Sequence, residues 1–154
     1  MTDQNKVSGK IINHNSSYTG DVYFNEKIID LKIKDPVDYD NIIIPGFVDL
    51  HCHGGNGFDV MEGSESVIEM SKYHLQHGTT SIMPTTWTNT LENTISALKG
   101  FNEIKKDNDN NILGVHLEGP FINPNKLGAQ PNLTKKPSLE FIKKILEISD
   151  IKII

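Results

Sequence analysis

The sequence predicts an α/β protein in which parallel strands alternate with helices, preceded by a small all-β unit. Three observations carry this. From Ile42 onward, short runs of β-branched and apolar residues alternate with longer stretches of helical periodicity, the rhythm of βαβ units. Residues 1–41 offer only short strand-like runs separated by polar turns. The chemistry-bearing residues fall at predicted strand C-termini, where sites form in parallel α/β folds. Two architectures satisfy the rhythm: an open doubly wound sheet, or part of a (β/α)8 barrel. The expected division is a small β unit over residues 1–41 and a βα-repeat region over residues 42–154.

Taken in order, Val7–Ile12 is the first strand and Asn13–Gly20 a turn-rich stretch, with His14 on the surface. Asp21–Phe24 and Lys27–Ile33 are the next strands, and Asp35-Pro36 opens a linker. None of these runs groups catalytic residue types.

The next strand begins at Ile42 and runs into Asp49-Leu50-His51-Cys52-His53-Gly54-Gly55. Alternation turns Asp49, His51 and His53 to one face and Val48, Leu50 and Cys52 to the other. Gly54 and Gly55 leave room for a substrate or a tight turn. A loop follows over 56–63. Ser66 and Glu69 then form a capping box for a helix with Val67, Met70 and His74 on its apolar face, ended by Gly78. His74 and His77 have no partner at i, i+4 and read as structural or solvated.

Thr79–Thr86 is the second strand of the repeat, with Pro84 near the end of pairing because it lacks an N–H. Asn89, with Glu92, caps a helix whose stripe is Leu91, Ile95, Leu98 and Phe101. Lys105 and Lys106 suit its C-terminal dipole, and a polar turn follows from Asp107. Ile112–Pro120 is the third strand, with Gly114, His116 and Glu118 on one face. After a long loop over 121–137, Ser138 caps a helix that buries Leu139, Ile142, Ile145 and Leu146. A fourth strand starts at Asp150.

The composition narrows the function classes. Hydrophobic residues make up 36% of the 154 and charged residues 23%, enough for a packed core. A net charge of −5 argues against nucleic acid or an anionic membrane as partner. No apolar run reaches the ~18 residues of a membrane span, and Met1–Asn5 lacks signal-peptide character. The single cysteine rules out an internal disulfide and fits a reducing compartment, so a cytoplasmic location is expected. Every one of the 15 basic residues is lysine, so no bidentate arginine clamp on a phosphate can come from these residues.

His51, His53 and Glu118 all lie on the inferred inner face at strand C-termini. Two imidazoles and a carboxylate are a donor set for Zn²⁺, Fe²⁺, Mn²⁺ or Co²⁺. The plainer reading is a pair of exposed histidines and a carboxylate bonded to loop amides at Gly119 or Phe121.

Three segments carry a family resemblance. Pro45-Gly46-Phe47-Val48-Asp49-Leu50-His51-Cys52-His53-Gly54 resembles the first barrel strand of the amidohydrolase superfamily, and His77-Gly78-Thr79-Thr80-Ser81-Ile82-Met83-Pro84-Thr85 resembles the second. Gly114-Val115-His116-Leu117-Glu118-Gly119-Pro120-Phe121-Ile122-Asn123-Pro124, with Gly128-Ala129-Gln130-Pro131, is similar to one family within it, the N-acetylglucosamine-6-phosphate deacetylases. The resemblance covers nearly the whole chain and favours the barrel. It implies that Glu118 is a metal ligand, that His51 and His53 hold a second ion in members that have it, and that Ala129 and Gln130 contact the sugar. It also implies an amino-sugar phosphate substrate and a homodimer.

The implied reaction is hydrolysis of the N-acetyl amide by a metal-activated water, assisted by an aspartate from the last barrel strand. That aspartate, two later histidines and the phosphate-holding groups have no counterpart here, so no catalytic residue is assigned to this chain. A complete barrel takes ~250 residues. The chain is therefore expected to be a truncated front portion, with three βα units and the start of a fourth strand, inactive alone. The alternatives are another amidohydrolase, such as a cyclic amidase or a deaminase, and a non-catalytic half barrel that binds metal or a partner.

Overall fold

The computed structural model describes residues 4–104 and 111–154. Met1 to Asp3, Lys105, Lys106 and the start of the polar turn expected from Asp107 lie outside the described residues. The chain divides into two compact units, Met1–Pro45 and Gly46–Ile154.

The first unit is a four-stranded sheet of order β3-β2-β1-β4, built from β1 (Asn5–Asn13), β2 (Ser16–Phe24), β3 (Ile28–Lys34) and β4 (Ile42–Ile43). β1 and β2 form an antiparallel hairpin in which Asn13 faces Ser16, leaving His14 and Asn15 as the turn. The stretch expected to be a turn is therefore mostly strand. Tyr18 and Thr19 suit a pleated surface, and cross-strand pairing overrides the local turn signals. Ile42–Ile43 does not open the His-x-His strand but pairs parallel with β1 at Lys10 and Ile11. The unit break thus falls at Pro45, a few residues past the expected position.

Within this sheet Asp21 is only 2% exposed. Its carboxylate accepts from Ser8 Oγ at 2.7 Å and pairs with Lys34 Nζ at 2.7 Å. Lys34, then Ser8, hold the Asp21 carboxyl down to about 2, against the opposing effect of burial. The same contact with Asp21 raises the Lys34 ammonium above its ordinary value.

The second unit holds a parallel sheet of order β10-β9-β8-β5, made of β5 (Phe47–Cys52), β8 (Thr79–Thr86), β9 (Val115–Leu117) and β10 (Ile151–Ile153). Neighbours in the sheet are neighbours in the chain, with no reversal of order. The helices between them are α1 (Ser64–Gln76), α2 (Leu91–Ile104) and α3 (Leu139–Leu146). The core joins Val67 and Met70 of α1, Ala97, Leu98, Phe101 and Ile104 of α2, Ile145 of α3 and the strand residues Ile82, Val115 and Leu117.

Several local readings shift. After β5, Gly54–Gly55 (β6) and Phe58–Asp59 (β7) form a small hairpin. Its turn, Asn56-Gly57, has φ 54° and 84°, the left-handed pair that an Asn-Gly turn supplies. The two glycines thus make a hairpin arm and leave no open space for substrate. The capping box here belongs to Asp59 and Glu62 of the following 3-10 turn, while Ser66 lies inside α1 and bonds back to Asp59 O at 2.9 Å. Thr90 caps α2, its hydroxyl accepting from the Asn93 N–H at 3.2 Å, while the Asn89 side chain accepts from the Thr90 N–H. Leu91 is exposed, and the buried stripe runs Thr94, Ala97, Leu98, Phe101.

Ser138 does cap α3, but Leu139 and Leu146 face outward at 81% and 50% exposure and only Ile145 is fully buried. Gly114, at φ 148°, shortens the third strand and leaves Leu113 exposed. Gly78 ends α1 at φ 92°, as the sequence predicts.

Candidate metal centre

The strand that carries the histidines is irregular. Pro84 is the last residue of β8 paired with β5, opposite Cys52, near the end of pairing as the sequence predicts, and Thr85 and Thr86 pair onward with β9. The β5–β8 register shifts between Asp49 and Cys52, with one extra residue on β5. The Cys52 N–H donates to Thr85 Oγ1 at 3.0 Å. This irregularity breaks the expected alternation. Asp49 groups with Cys52 and His74, and not with His51 and His53.

His51, His53 and Glu118 come together as expected. His51 Nε2 lies 3.1 Å from His53 Nε2 and 3.3 Å from Glu118 Oε2, and His53 Nε2 lies 2.9 Å from that oxygen. The His53 Nδ1–H donates to Thr85 O at 2.8 Å, which leaves Nε2 of the neutral ring bare. Glu118 Oε2 is buried and has no hydrogen-bond partner, for its contacts with the two rings are short without having hydrogen-bond geometry.

Glu118 Oε2 thus lies buried beside two imidazole nitrogens with no hydrogen bond of its own, a need that a cation among the three atoms would meet. Donors bonded to one tetrahedral ion at ~2.0–2.2 Å lie roughly 3.3–3.6 Å apart, slightly wider than the 2.9–3.3 Å found here. The residues therefore fit a divalent metal ion. His51 is the open side of the group, its side chain 51% exposed against 19% for His53.

Around this group, His116 donates from Nδ1 to Leu50 O at 3.0 Å and meets the His51 ring edge-on, with centroids 4.9 Å apart. Trp87 stacks on His53 with centroids 3.8 Å apart and planes 19° apart. Gly119 holds φ 81° against Thr88, and this close passage sets the chain direction directly after Glu118. Neither Trp87 nor the Thr85 carbonyl carries a signal in the sequence, since both act through tertiary contact.

Ala129 is exposed and borders an open pocket shared with Trp87, Asn89 and Pro131. Gln130 is buried, and its Oε1 accepts from the Thr88 N–H at 2.7 Å, fastening the long loop to the end of β8.

His74 takes the structural of the two roles the sequence leaves open. Its Nε2–H donates to Gly54 O at 3.0 Å and lies 3.3 Å from Cys52 Sγ. The Cys52 thiol also donates to Gly54 O, at 3.1 Å, and burial pushes its pKa up, so it stays protonated near neutrality. Two donors thus hold the carbonyl directly after His53. The spacing of His74 from the His-x-His pair offers no clue to this contact.

Residues 42–153 match the model of the amidohydrolase family. The chain belongs to that family. It is 39% identical over 112 residues to N-acetylglucosamine-6-phosphate deacetylase of Bacillus subtilis, covering 68% of this chain and 28% of that one. The enzyme of the same name from Lysinibacillus sphaericus is 35% identical over 115 residues, covering 72% of this chain and 30% of its own length. Among solved structures, N-acetylglucosamine-6-phosphate deacetylase from Thermotoga maritima superposes with a TM-score of 0.83 at 30% identity, covering 91% of this chain and 39% of that one. This amidohydrolase chain thus spans under a third of the length of these two curated relatives. No described helix is long and apolar enough to cross a membrane.

Proposed function

We propose that Gly46–Ile154 is the front part of a (β/α)8 barrel and that His51, His53 and Glu118 are its metal ligands. The enzyme they serve hydrolyses the acetamide of N-acetylglucosamine 6-phosphate to glucosamine 6-phosphate and acetate. The convergence of three donor atoms on one gap at the C-terminal ends of parallel strands carries this reading. The unreversed strand order supports the barrel over a doubly wound sheet, which needs a switch point. Exposed Phe47, Val48 and Leu50 on the edge strand suit a surface that further strands cover.

A bound Zn²⁺, Fe²⁺, Mn²⁺ or Co²⁺ supplies Lewis acidity toward the scissile carbonyl and an activated water. The chain's own residues present the donors. Thr85 fixes the His53 tautomer, Glu118 contributes the negative charge, Ala129 borders the sugar pocket, and Gln130 holds the loop that carries it. Across the reaction, the water oxygen joins the acetyl carbon, the C–N bond breaks, and the amine leaves with a proton. The acid–base group and the phosphate-holding groups come from beyond these 154 residues, so the chain alone turns nothing over. The single cysteine and the small phosphorylated substrate favour a cytoplasmic enzyme, and the family resemblance favours a homodimer.

The test is deacetylation of N-acetylglucosamine 6-phosphate with Zn²⁺ or Mn²⁺. The chain is assayed alone and mixed with a second polypeptide supplying the remaining barrel strands of a relative. The expected result is turnover only in the mixture, lost with Glu118→Ala. A mixture that folds and binds metal but stays inactive makes this a binding module and overturns the proposal.

A further inference from the structure

We infer that Trp87 is a positioning residue for the metal centre, setting the plane of His53 and joining that ligand to the pocket beside Ala129. The inference rests on the reading of His53 as a ligand. Two constraints are needed to aim an imidazole. The Nδ1–H bond to Thr85 O, 2.8 Å long, fixes the direction of the ring's Nδ1–Nε2 axis but lets the ring tilt about it. The indole face, 3.8 Å from the ring centroid and within 19° of parallel, removes that tilt. Together they hold Nε2 toward His51 Nε2 and Glu118 Oε2.

Trp87 follows directly on β8, whose Thr85 supplies the other constraint, so one strand end delivers both. Its indole also lines the open pocket with Ala129, Asn89 and Pro131. A sugar entering that pocket meets the residue that orients the ligand, so substrate contact and ligand geometry are coupled through Trp87. Outer partners of metal-ligating histidines commonly govern metal affinity by ~10–100-fold.

The chain contains a single tryptophan, so its fluorescence reports on this position alone. The experiment has two readouts. Co²⁺ is titrated into the metal-free 154-residue chain while indole fluorescence and the visible Co²⁺ absorption are followed. Separately, imidazole ¹⁵N NMR of the metal-free chain reads the His53 tautomer. Wild type should show quenching with the same midpoint as the absorption, and a His53 Nδ1–H tautomer. Trp87→Phe, which keeps an aromatic face, should bind Co²⁺ within about threefold of wild type. Trp87→Leu should weaken binding by on the order of tenfold while the His53 Nδ1–H tautomer, held by Thr85 O, stays, with circular dichroism unchanged.

Wild-type affinity in Trp87→Leu overturns the inference. Should that variant not fold, wild-type fluorescence that ignores Co²⁺ while the absorption saturates overturns it equally. If wild type binds no Co²⁺ but its His53 ring protons carry the indole's ring-current shift, lost in Trp87→Leu, the metal reading falls and the positioning role stands.

Discussion

Gly119→Ala is the substitution whose consequence follows most directly from the geometry. Gly119 sits at φ 81°, one residue after Glu118. A Cβ there would strike the Thr88 hydroxyl and lie 2.9 Å from Thr88 Cα. Part of that obstruction is main chain, so no rotamer change removes it.

Gly128 provides the reference. It too has a left-handed φ, 62°, but a Cβ on it meets nothing within 4 Å. Forcing an L-residue into that region costs roughly 1–2 kcal/mol, partly offset by ~0.4–1 kcal/mol from the stiffer unfolded chain. Gly128→Ala should therefore cost about 0.5–1 kcal/mol. Gly119→Ala carries the same term plus ~1–3 kcal/mol for overpacking, or roughly 2–4 kcal/mol in all.

Urea unfolding of the two variants reads the difference. A Co²⁺ titration reads its consequence at the site, since a loop forced off Thr88 carries Glu118 Oε2 away from His53. Gly119→Ala should lose Co²⁺ affinity and Gly128→Ala should keep it. Equal destabilisation of the two, or undiminished Co²⁺ binding by a folded Gly119→Ala, would refute the argument that the Thr88 contact sets Glu118.

Two further outcomes test the reading of the units. The Asp21 carboxyl is held at about 2, below its unfolded value of ~3.9. Its contribution is therefore fully present above about pH 4 and lost as pH falls through about 2. The raised Lys34 ammonium contributes below about pH 10.5 and is lost at still higher pH. Asp21→Asn should lower the urea midpoint of the first unit at pH 7 and flatten its acid limb, and an unchanged limb would count against the ion pair. On α3, Leu139→Lys should change stability by less than ~0.5 kcal/mol while Ile145→Ala costs ~2–5 kcal/mol. Comparable losses at the two positions would mean that the helix packs through the face the sequence predicts.

What the sequence discloses here is what local chemistry decides. The β-to-α rhythm after Ile42, the Gly78 stop and the Ser138 cap are visible because each depends on residues within a turn or two. The grouping of His51, His53 and Glu118 is visible because a two-residue period at strand ends places side chains on one face. Leu98, Phe101 and Ile145 are buried as the stripes predict, but Leu91, Leu139 and Leu146 are exposed, because each helix's rotation is chosen by what it packs against. The stripes Leu91–Ile95 and Leu139–Leu146 are as apolar as those buried. The Asn56-Gly57 hairpin and the Asp59–Glu62 capping box have clear local signatures, but they sit in a short segment that reads as one loop.

The register shift in β5 between Asp49 and Cys52 belongs to neither kind, and it is where strand and site are coupled. With an unbroken ladder, Asp49 would share a face with His51 and His53 and bring a second carboxylate beside Glu118. The register shift sends Asp49 toward Cys52 and His74 instead, where its Oδ1 accepts from the His51 N–H at 3.0 Å. The result is a donor set with one carboxylate and two imidazoles. Asp49 steadies the backbone of the first histidine, and His74 with Cys52 steadies the carbonyl after the second. One extra residue in the pairing of β5, which no local signal announces, thus divides the acidic residues between binding a metal and holding its ligands.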